Sequence, residues 1–369
     1  MMMRRYRILS FVLMLVIVVL ASVALTVSHD SPCAASAPVP AATTRMKAIV
    51  ARCYGASDVL KLEEVAKPVA ADNEVLVKIH AAAVNPLDWH FMRGKPYIMR
   101  LESGLGTPGD VRVGVDFAGT VEAVGKDVKR FKPGDAVYGA RSGALGEYVT
   151  VREDRAIVLK PANMTFEQAA SVPVAAVTAL QGLRDQGKIQ AGQKVLINGA
   201  SGGVGTFAVQ IAKSFGADVT GVCSTKNVDL VRSIGADHVI DYTQEDFTQS
   251  SQRYDLILDN VGNHSLSEYR SVLKPKGTLV IVGGPSEDPW IGPLIQPIKA
   301  MLLSPFVSQQ MGMFISDLNR KDLEFMNTLM QAGKVTPVID KRYALNEAPA
   351  AISYLEAGRA RGKVVISME

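Results

Sequence analysis

The most chemically specific spacing in the chain is Val195-Leu196-Ile197-Asn198-Gly199-Ala200-Ser201-Gly202-Gly203-Val204-Gly205-Thr206, an apolar strand running into a glycine-rich turn and then a helix from Phe207 to Phe215. Such a turn suits a dinucleotide. Gly202 bends without a Cβ, Gly203 and Gly205 let backbone approach a pyrophosphate and the strand, and the helix N-terminus offers free N–H groups to the anion. Ala200 stands where the usual G-x-G-x-x-G has its first glycine, so Ala200, Ser201, Gly202, Gly203, Val204 and Gly205 form the candidate phosphate cradle. A second strand, Ala217 to Cys223, follows one helix later, as a βαβ unit requires.

The same string reads Gly199-x-Ser201-x-Gly203, the spacing of an α/β-hydrolase nucleophile elbow. That alternative needs an acid and then a late histidine, yet His264 is the last histidine. A phosphate-binding P-loop would need Gly-Lys-Ser/Thr after the turn, and none follows.

The end of the second strand sets the cofactor. An NAD site places an acid there for the ribose 2′-OH, whereas this chain has Cys223-Ser224-Thr225-Lys226-Asn227. Hydroxyls and an ammonium suit a 2′-phosphate, so Ser224, Thr225 and Lys226 point to NADP(H). A helix N-cap at Ser224 or Thr225 is the plainer role, and it can coexist with phosphate binding.

Further strands read as His238 to Asp241, Asp255 to Asp259 and Thr278 to Val282, giving an α/β fold with a doubly wound parallel sheet. Ligands of such sheets sit beyond the carboxyl ends of the strands. Val261-Gly262 and Gly283-Gly284 are therefore where backbone approaches a nicotinamide ribose, although glycine after a strand is also ordinary turn chemistry.

With these elements placed, the chain resembles the medium-chain dehydrogenase/reductase superfamily in its zinc-free quinone oxidoreductase branch, nearest the group holding the reticulon-interacting mitochondrial protein and bacterial NADPH:quinone reductases. The likeness spans Met46 to Met368. It rests on Met46-Lys47-Ala48-Ile49-Val50, Asn85-Pro86-Leu87-Asp88-Trp89, Gly114-Val115-Asp116-Phe117-Ala118-Gly119, the run AASVPVAAVTAL at 169–180, the nucleotide turn and Gly362-Lys363-Val364-Val365. The resemblance implies a mostly β GroES-like domain over 46–172, completed by 319–369, with a Rossmann domain inserted over 173–318. It also implies that Thr178 meets the nicotinamide end. Tyr242 and Lys363 complete the candidate cofactor-binding set.

Zinc alcohol dehydrogenases of this type carry Cys, His with Glu, and Cys where Asn85, Val115 with Asp116, and Ala175 stand here. Asp116 alone cannot hold a catalytic metal. The three cysteines, Cys33, Cys53 and Cys223, are far apart and without C-x-x-C spacing, so the expectation is no structural zinc, no disulfide framework, and reduced, buried Cys53 and Cys223. Without a Lewis acid, alcohol oxidation loses its means of stabilising an alkoxide, whereas an enone or quinone takes hydride into a delocalised system. Asn85 then orients the nicotinamide ribose or the substrate carbonyl. Asp88 and Tyr97 are candidates to hold or protonate the product, with loop bracing and partial burial as their plainer roles. His90, beside Trp89, reads as a surface or loop histidine.

The N-terminus carries a second signal. Arg4, Arg5 and Arg7 precede Ile8 to Val27, an uncharged, mainly apolar run of about twenty residues, the length of a transmembrane helix. Ala35-Ser36-Ala37 resembles a cleavage site, but Pro38 directly after it favours an uncleaved single-pass anchor over a signal peptide. Ser28 to Thr44 reads as a semi-extended tether of up to about 50 Å. Arginines ahead of the run place the enzyme outside, while NADPH is supplied inside, so sidedness stays open. Translation from Met46 would instead give a cytoplasmic protein.

With 369 residues, 48% hydrophobic, the chain can bury two modest cores; its net charge of +4 comes without a basic run, so no nucleic-acid partner is implied. Residues 291–313, with Pro293, Pro297 and Pro305, are too broken for a second span and read as a mobile cleft or dimer-contact segment. The resemblance, and an exposed sheet edge near Met311 to Ile315, imply a homodimer. The expected function is zinc-independent hydride transfer from NADPH to a quinone or enone. A nucleotide-binding assembly factor with little turnover is the alternative from another class.

Overall fold

The computed structural model describes residues 14, 18–19, 21–36, 39–284 and 288–368. The first seven strands are β1 (Arg45–Ala51), β2 (Leu60–Ala66), β3 (Glu74–Val84), β4 (Asp116–Val124), β5 (Ala136–Ala140), β6 (Tyr148–Arg152) and β7 (Ile157–Leu159). They are followed by β8 (Lys194–Asn198), β9 (Asp218–Cys223), β10 (His238–Asp241), β11 (Tyr254–Asp259), β12 (Leu273–Ile281), β13 (Gln310–Met313), β14 (Ile339–Ala344) and β15 (Lys363–Ser367).

Apolar runs in β8, β9, β11 and β12 are buried on both faces, as a parallel sheet covered by helices demands. These strands form one parallel sheet in the order β10-β9-β8-β11-β12-β13. In chain order that is 3-2-1-4-5-6, the doubly wound Rossmann arrangement. Register brings Asn198, Cys223, Asp241, Asp259 and Ile281 to one end.

A second sheet runs β14-β15-β3-β4-β5-β7, with β6 also on β3. The last strand of the chain returns here: β15 pairs antiparallel with β3, Val364 opposite Val84. One apolar cluster joins the two sheets through the helix Pro173–Gln181, whose Val177 and Leu180 are buried with Ala83 and Tyr138 on one side and Ile197 and Phe207 on the other.

The segment around 291–313 is more ordered than its prolines imply. It holds a helix, Ile295–Leu303, and then β13. Pro297 falls in the first helical turn, where no intrahelical N–H bond is lost.

Half of the apolar run at 8–27 lies outside the described residues. Among the described residues, no helix is long and apolar enough to cross a membrane. Residues 21–28 are helical, and the stretch after them is not a free tether. Arg100, its side chain 1% exposed, donates to the carbonyls of Val27 and His29 and pairs with Asp30 at 2.7 Å. Asp30 bridges to Gly106, and the Ala34 N–H donates to Arg52 O.

The expectation of reduced cysteines is overturned at one position. Cys33 and Cys53 form a disulfide, while Cys223 stays free and buried. Spacing could not disclose the pair, because it is made by the leader folding back onto β1 and the loop after it. If the crosslink acts by restricting the unfolded chain, its 20-residue separation is worth roughly 3 kcal/mol. Cys33→Ser should therefore lower unfolding free energy by up to about that amount in denaturant titrations. An unchanged midpoint would refute the fastening.

Candidate functional site

The nucleotide turn has the form its glycines require. Gly199 sits at φ +76°, and a Cβ at Gly205 would lie 2.0 Å from the Gly199 carbonyl oxygen. Gly202 precedes the helix Gly203–Ser214 with no side chain capping it, so the first-turn N–H groups lack intrahelical acceptors. A Cβ at Gly202 would approach only the Gly199 oxygen, at 3.5 Å. This open cradle beside Ala200 and Val204 fits a pyrophosphate. Ser201 is not a hydrolase nucleophile: it is 9% exposed and its Oγ accepts from Asn227, in a sheet with Rossmann order.

At the end of β9, Ser224 starts a short 3-10 turn in which Thr225 and Lys226 are exposed. Asn227 donates to both Ser201 and Ser224, leaving its buried Oδ1 without a partner. A buried polar atom without a partner is costly, so it marks a place for a ligand donor such as a ribose hydroxyl. An acid does stand nearby, on the next strand: Thr225 and Thr243 hydrogen-bond Asp241, holding its carboxyl below the usual range. Tyr242 is exposed beside it, its N–H on the Cys223 carbonyl.

At the nicotinamide end, the Val261 and Gly262 N–H groups are taken by Asp259 Oδ1, and the Gly283 N–H by the Asp259 carbonyl. A Cβ on Gly283 would lie 2.3 Å from the Asn260 oxygen, so backbone crowding already demands glycine there. Thr178 Oγ1 donates to Ser316.

The densest chemistry lies where β3, β4 and β15 meet. Lys363 Nζ donates to Asn85 Oδ1 at 2.5 Å and stands 3.3 Å from Asp116 Oδ2. Asn85 Nδ2 donates to the same Asp116 oxygen, and the Val174 N–H to the other. Burial raises the Asp116 pKa, while Lys363, Asn85 and the Val174 N–H work against that rise. Gly362, at φ +90°, donates its N–H to the Ser201 carbonyl and so ties this node to the nucleotide turn. Lys363 thus touches the catalytic candidates directly, and its Cδ faces Gly203.

Zinc does not fit this donor set. Val115 and Ala175 offer no ligand atoms, the Asn85 oxygen is taken, and an ammonium already neutralises Asp116.

Asp88 lies one helical turn beyond Asn85, accepting its N–H at 2.7 Å. Burial, with help from Asp116, pushes its pKa up to about 7. Asp88 also lines a cavity of about 360 Å³ with Phe91, Met92, Val113 and Val115. Tyr97 does not line that cavity; its ring is packed edge-on against Trp290 and beside the Arg100 guanidinium. His90 is a helix residue, stacked on Trp89 and bonded to the Lys95 carbonyl, with burial lowering its pKa.

Sequence reasoning missed Asn227, Asp259 and Asp241, and saw Asp116 only as a failed zinc ligand. Asp259 and Asp241 end strands at the ligand-binding edge, a signal that was available. Arg100 gave none.

Residues 71–162 match the alcohol dehydrogenase GroES-like domain, and 234–366 match a family described as zinc-binding dehydrogenase. The chain is 34% identical over 395 residues to the mitochondrial NAD(P)H oxidoreductase RTN4IP1 of Mus musculus, covering 93% of this chain and 94% of that protein. It is 35% identical to the chloroplastic NADPH-dependent alkenal/one oxidoreductase of Arabidopsis thaliana, over 87% of this chain and 79% of that one. The solved quinone oxidoreductase from Coxiella burnetii superposes with a TM-score of 0.77 at 31% identity, over 88% of this chain and 100% of that one. Motifs, sheet order and relatives agree: the chain belongs to the medium-chain dehydrogenase/reductase superfamily and groups with its zinc-free quinone reductase branch.

Proposed function

We propose that the protein is an NADPH-dependent oxidoreductase that reduces quinones or enones without zinc. The observation that carries this reading is the buried Asn85–Asp116–Lys363 node, tied to the dinucleotide turn and adjoining an acid whose pKa lies near neutrality. In this reading 46–172 and 319–369 form the GroES-like catalytic unit, and 173–318 the nucleotide unit. NADPH, when bound, supplies the hydride. The chain does the rest: the turn at 199–205 binds the diphosphate, Lys226 faces the 2′-phosphate, and Lys363 with Asp116 fixes Asn85 at the reacting end. Asp88 at the cavity wall holds a transferable proton, and Tyr97 is the second candidate donor. A second copy of the chain covers the β13 edge, and the leader anchors the protein in a membrane.

Cofactor preference tests the first part. NADPH should bind more tightly than NADH, and Lys226→Glu should narrow or invert that preference by replacing attraction with repulsion. Equal affinities in the unmodified protein would sink it. An absence of NADPH oxidation across a panel of quinones and alkenals would favour the assembly-factor reading.

The proton donor has a pH signature. Because the acid form of Asp88 is the donor, it is present below about 7 and lost as pH rises through that value. Enone turnover should fall above pH ~7, and Asp88→Asn should flatten that limb. Tyr97→Phe should slow enone reduction more than quinone reduction, whose product oxyanion is delocalised. Asn85→Ala should cut turnover by roughly 100-fold with little loss of NADPH affinity, since misplaced reacting atoms harm the transition state most. Unchanged kinetics for Asn85→Ala would place the reacting centre elsewhere.

The anchor is tested by washing membranes from cells making the full chain with carbonate. The protein should stay in the pellet; recovery of the uncleaved chain in the supernatant would remove the anchor.

A further inference from the structure

The leader is seated on the same loop that walls the cavity. Arg100 holds the carbonyls of Val27 and His29 and the carboxylate of Asp30, and Ser31 donates its N–H to Gly106. The Arg100 guanidinium is itself fixed between the rings of Tyr54 and Tyr97, at 4.3 and 4.7 Å. Glu102, Ser103, Pro108 and Gly109 of the same loop line the cavity that reaches Asp88. The uncharged apolar run that begins at Ile8 therefore ends, at Val27, beside the cavity wall.

Three apolar side chains of this loop reach solvent, and the exposed Glu102 among them lines the cavity. Ile98, Leu101 and Leu105 are 46, 64 and 53% exposed, and Trp290, held against Tyr97, is 42% exposed. Single exposed apolar side chains need no explanation, but a cluster beside a cavity marks a contact surface. The point at which the apolar leader joins the enzyme selects the occupant: lipid lies wherever that run is embedded. Tryptophan at the margin is the residue that suits a headgroup boundary.

We propose that the face formed by residues 97–106 and Trp290 rests on a lipid bilayer, and that the acceptor enters the cavity from the lipid phase as a quinone with a long apolar tail. This rests on the quinone reductase reading above. The substrate's tail stays in lipid while its ring reaches Asp88, so no water-filled path has to carry an insoluble molecule.

The test uses the full chain in phosphatidylcholine vesicles, with NADPH oxidation measured against a decaprenyl-tailed benzoquinone in the bilayer and a tailless, water-soluble benzoquinone. The double variant Leu101→Glu, Leu105→Glu should slow the tailed reaction by about tenfold or more, because charge is unwelcome at the lipid boundary, and leave the tailless reaction within about twofold. Equal rates before and after substitution for both quinones, or equal loss for both, would overturn the inference. So would conversion of a dimer to a monomer in detergent by the same variant, which would assign the face to a second copy of the chain. If the variant does not fold, the unmodified protein still decides: brominated phosphatidylcholine should quench a fluorescence component that Trp290→Phe removes, and absence of quenching refutes the contact. Lack of turnover with both quinones, with Trp290 still quenched, would instead defeat the quinone reductase reading alone.

Discussion

The pair Lys363–Asp116 is the constraint on which the rest depends. Its side chains are 2 and 0% exposed, and it joins β15, the last strand of the chain, to β4 of the catalytic sheet. Two charges taken out of water are tolerable only when their remaining bonding capacity is met. Here Asn85 and the Val174 N–H complete Asp116, and Val174 belongs to the helix that joins the two sheets. Loss of either charge would leave the other buried and unpaired, at a cost of roughly 3–5 kcal/mol. The pair therefore fixes the distance between the nucleotide turn and the cavity. Hydride transfer depends on that distance.

The same node explains how a dehydrogenase fold works without its metal. An ammonium occupies the neighbourhood of the carboxylate, so positive charge persists at the site, but as a fixed point charge with its bonds already made. It cannot bind and polarise an alcohol oxygen as a Lewis acid does. What remains is a rigid floor for a cofactor and a nearby acid that keeps its proton up to about pH 7, which suits acceptors that need hydride and a proton rather than alkoxide stabilisation.

Local features were legible in the sequence because local physics decides them. The glycine turn and strands β8 to β12 declare themselves within a few residues, whereas the missing zinc donors were legible only through the family resemblance. Features made by distant segments were not. That Lys363 would meet Asn85, 278 positions away, requires β15 to pair with β3, Val364 opposite Val84, and only the family likeness hinted at such a return. The Asp88 pKa comes from tertiary burial, which a spacing of three from Asn85 cannot reveal. The Cys33–Cys53 bond and the Arg100 clamp escaped because an Ala- and Pro-rich segment reads as a linker, whereas the folded chain gives it partners.

Those two fastenings change what the leader does. A free tether of seventeen residues, reaching up to about 50 Å, would hold the enzyme near a membrane while leaving its cleft pointing anywhere. Seating Val27, His29 and Asp30 on Arg100 and bonding Cys33 to Cys53 removes that freedom at the point where the apolar run ends. Orientation, and not proximity, is what such an arrangement controls. A soluble acceptor gains nothing from it, since it reaches the cavity equally well from any direction; an acceptor confined to a plane gains a fixed path. The buried Arg100 is costly to desolvate; the carbonyls of Gly94 and Arg93 meet part of its bonding capacity, and the leader's Val27, His29 and Asp30 meet the rest, so removing the leader would leave buried N–H groups and a buried charge short of partners.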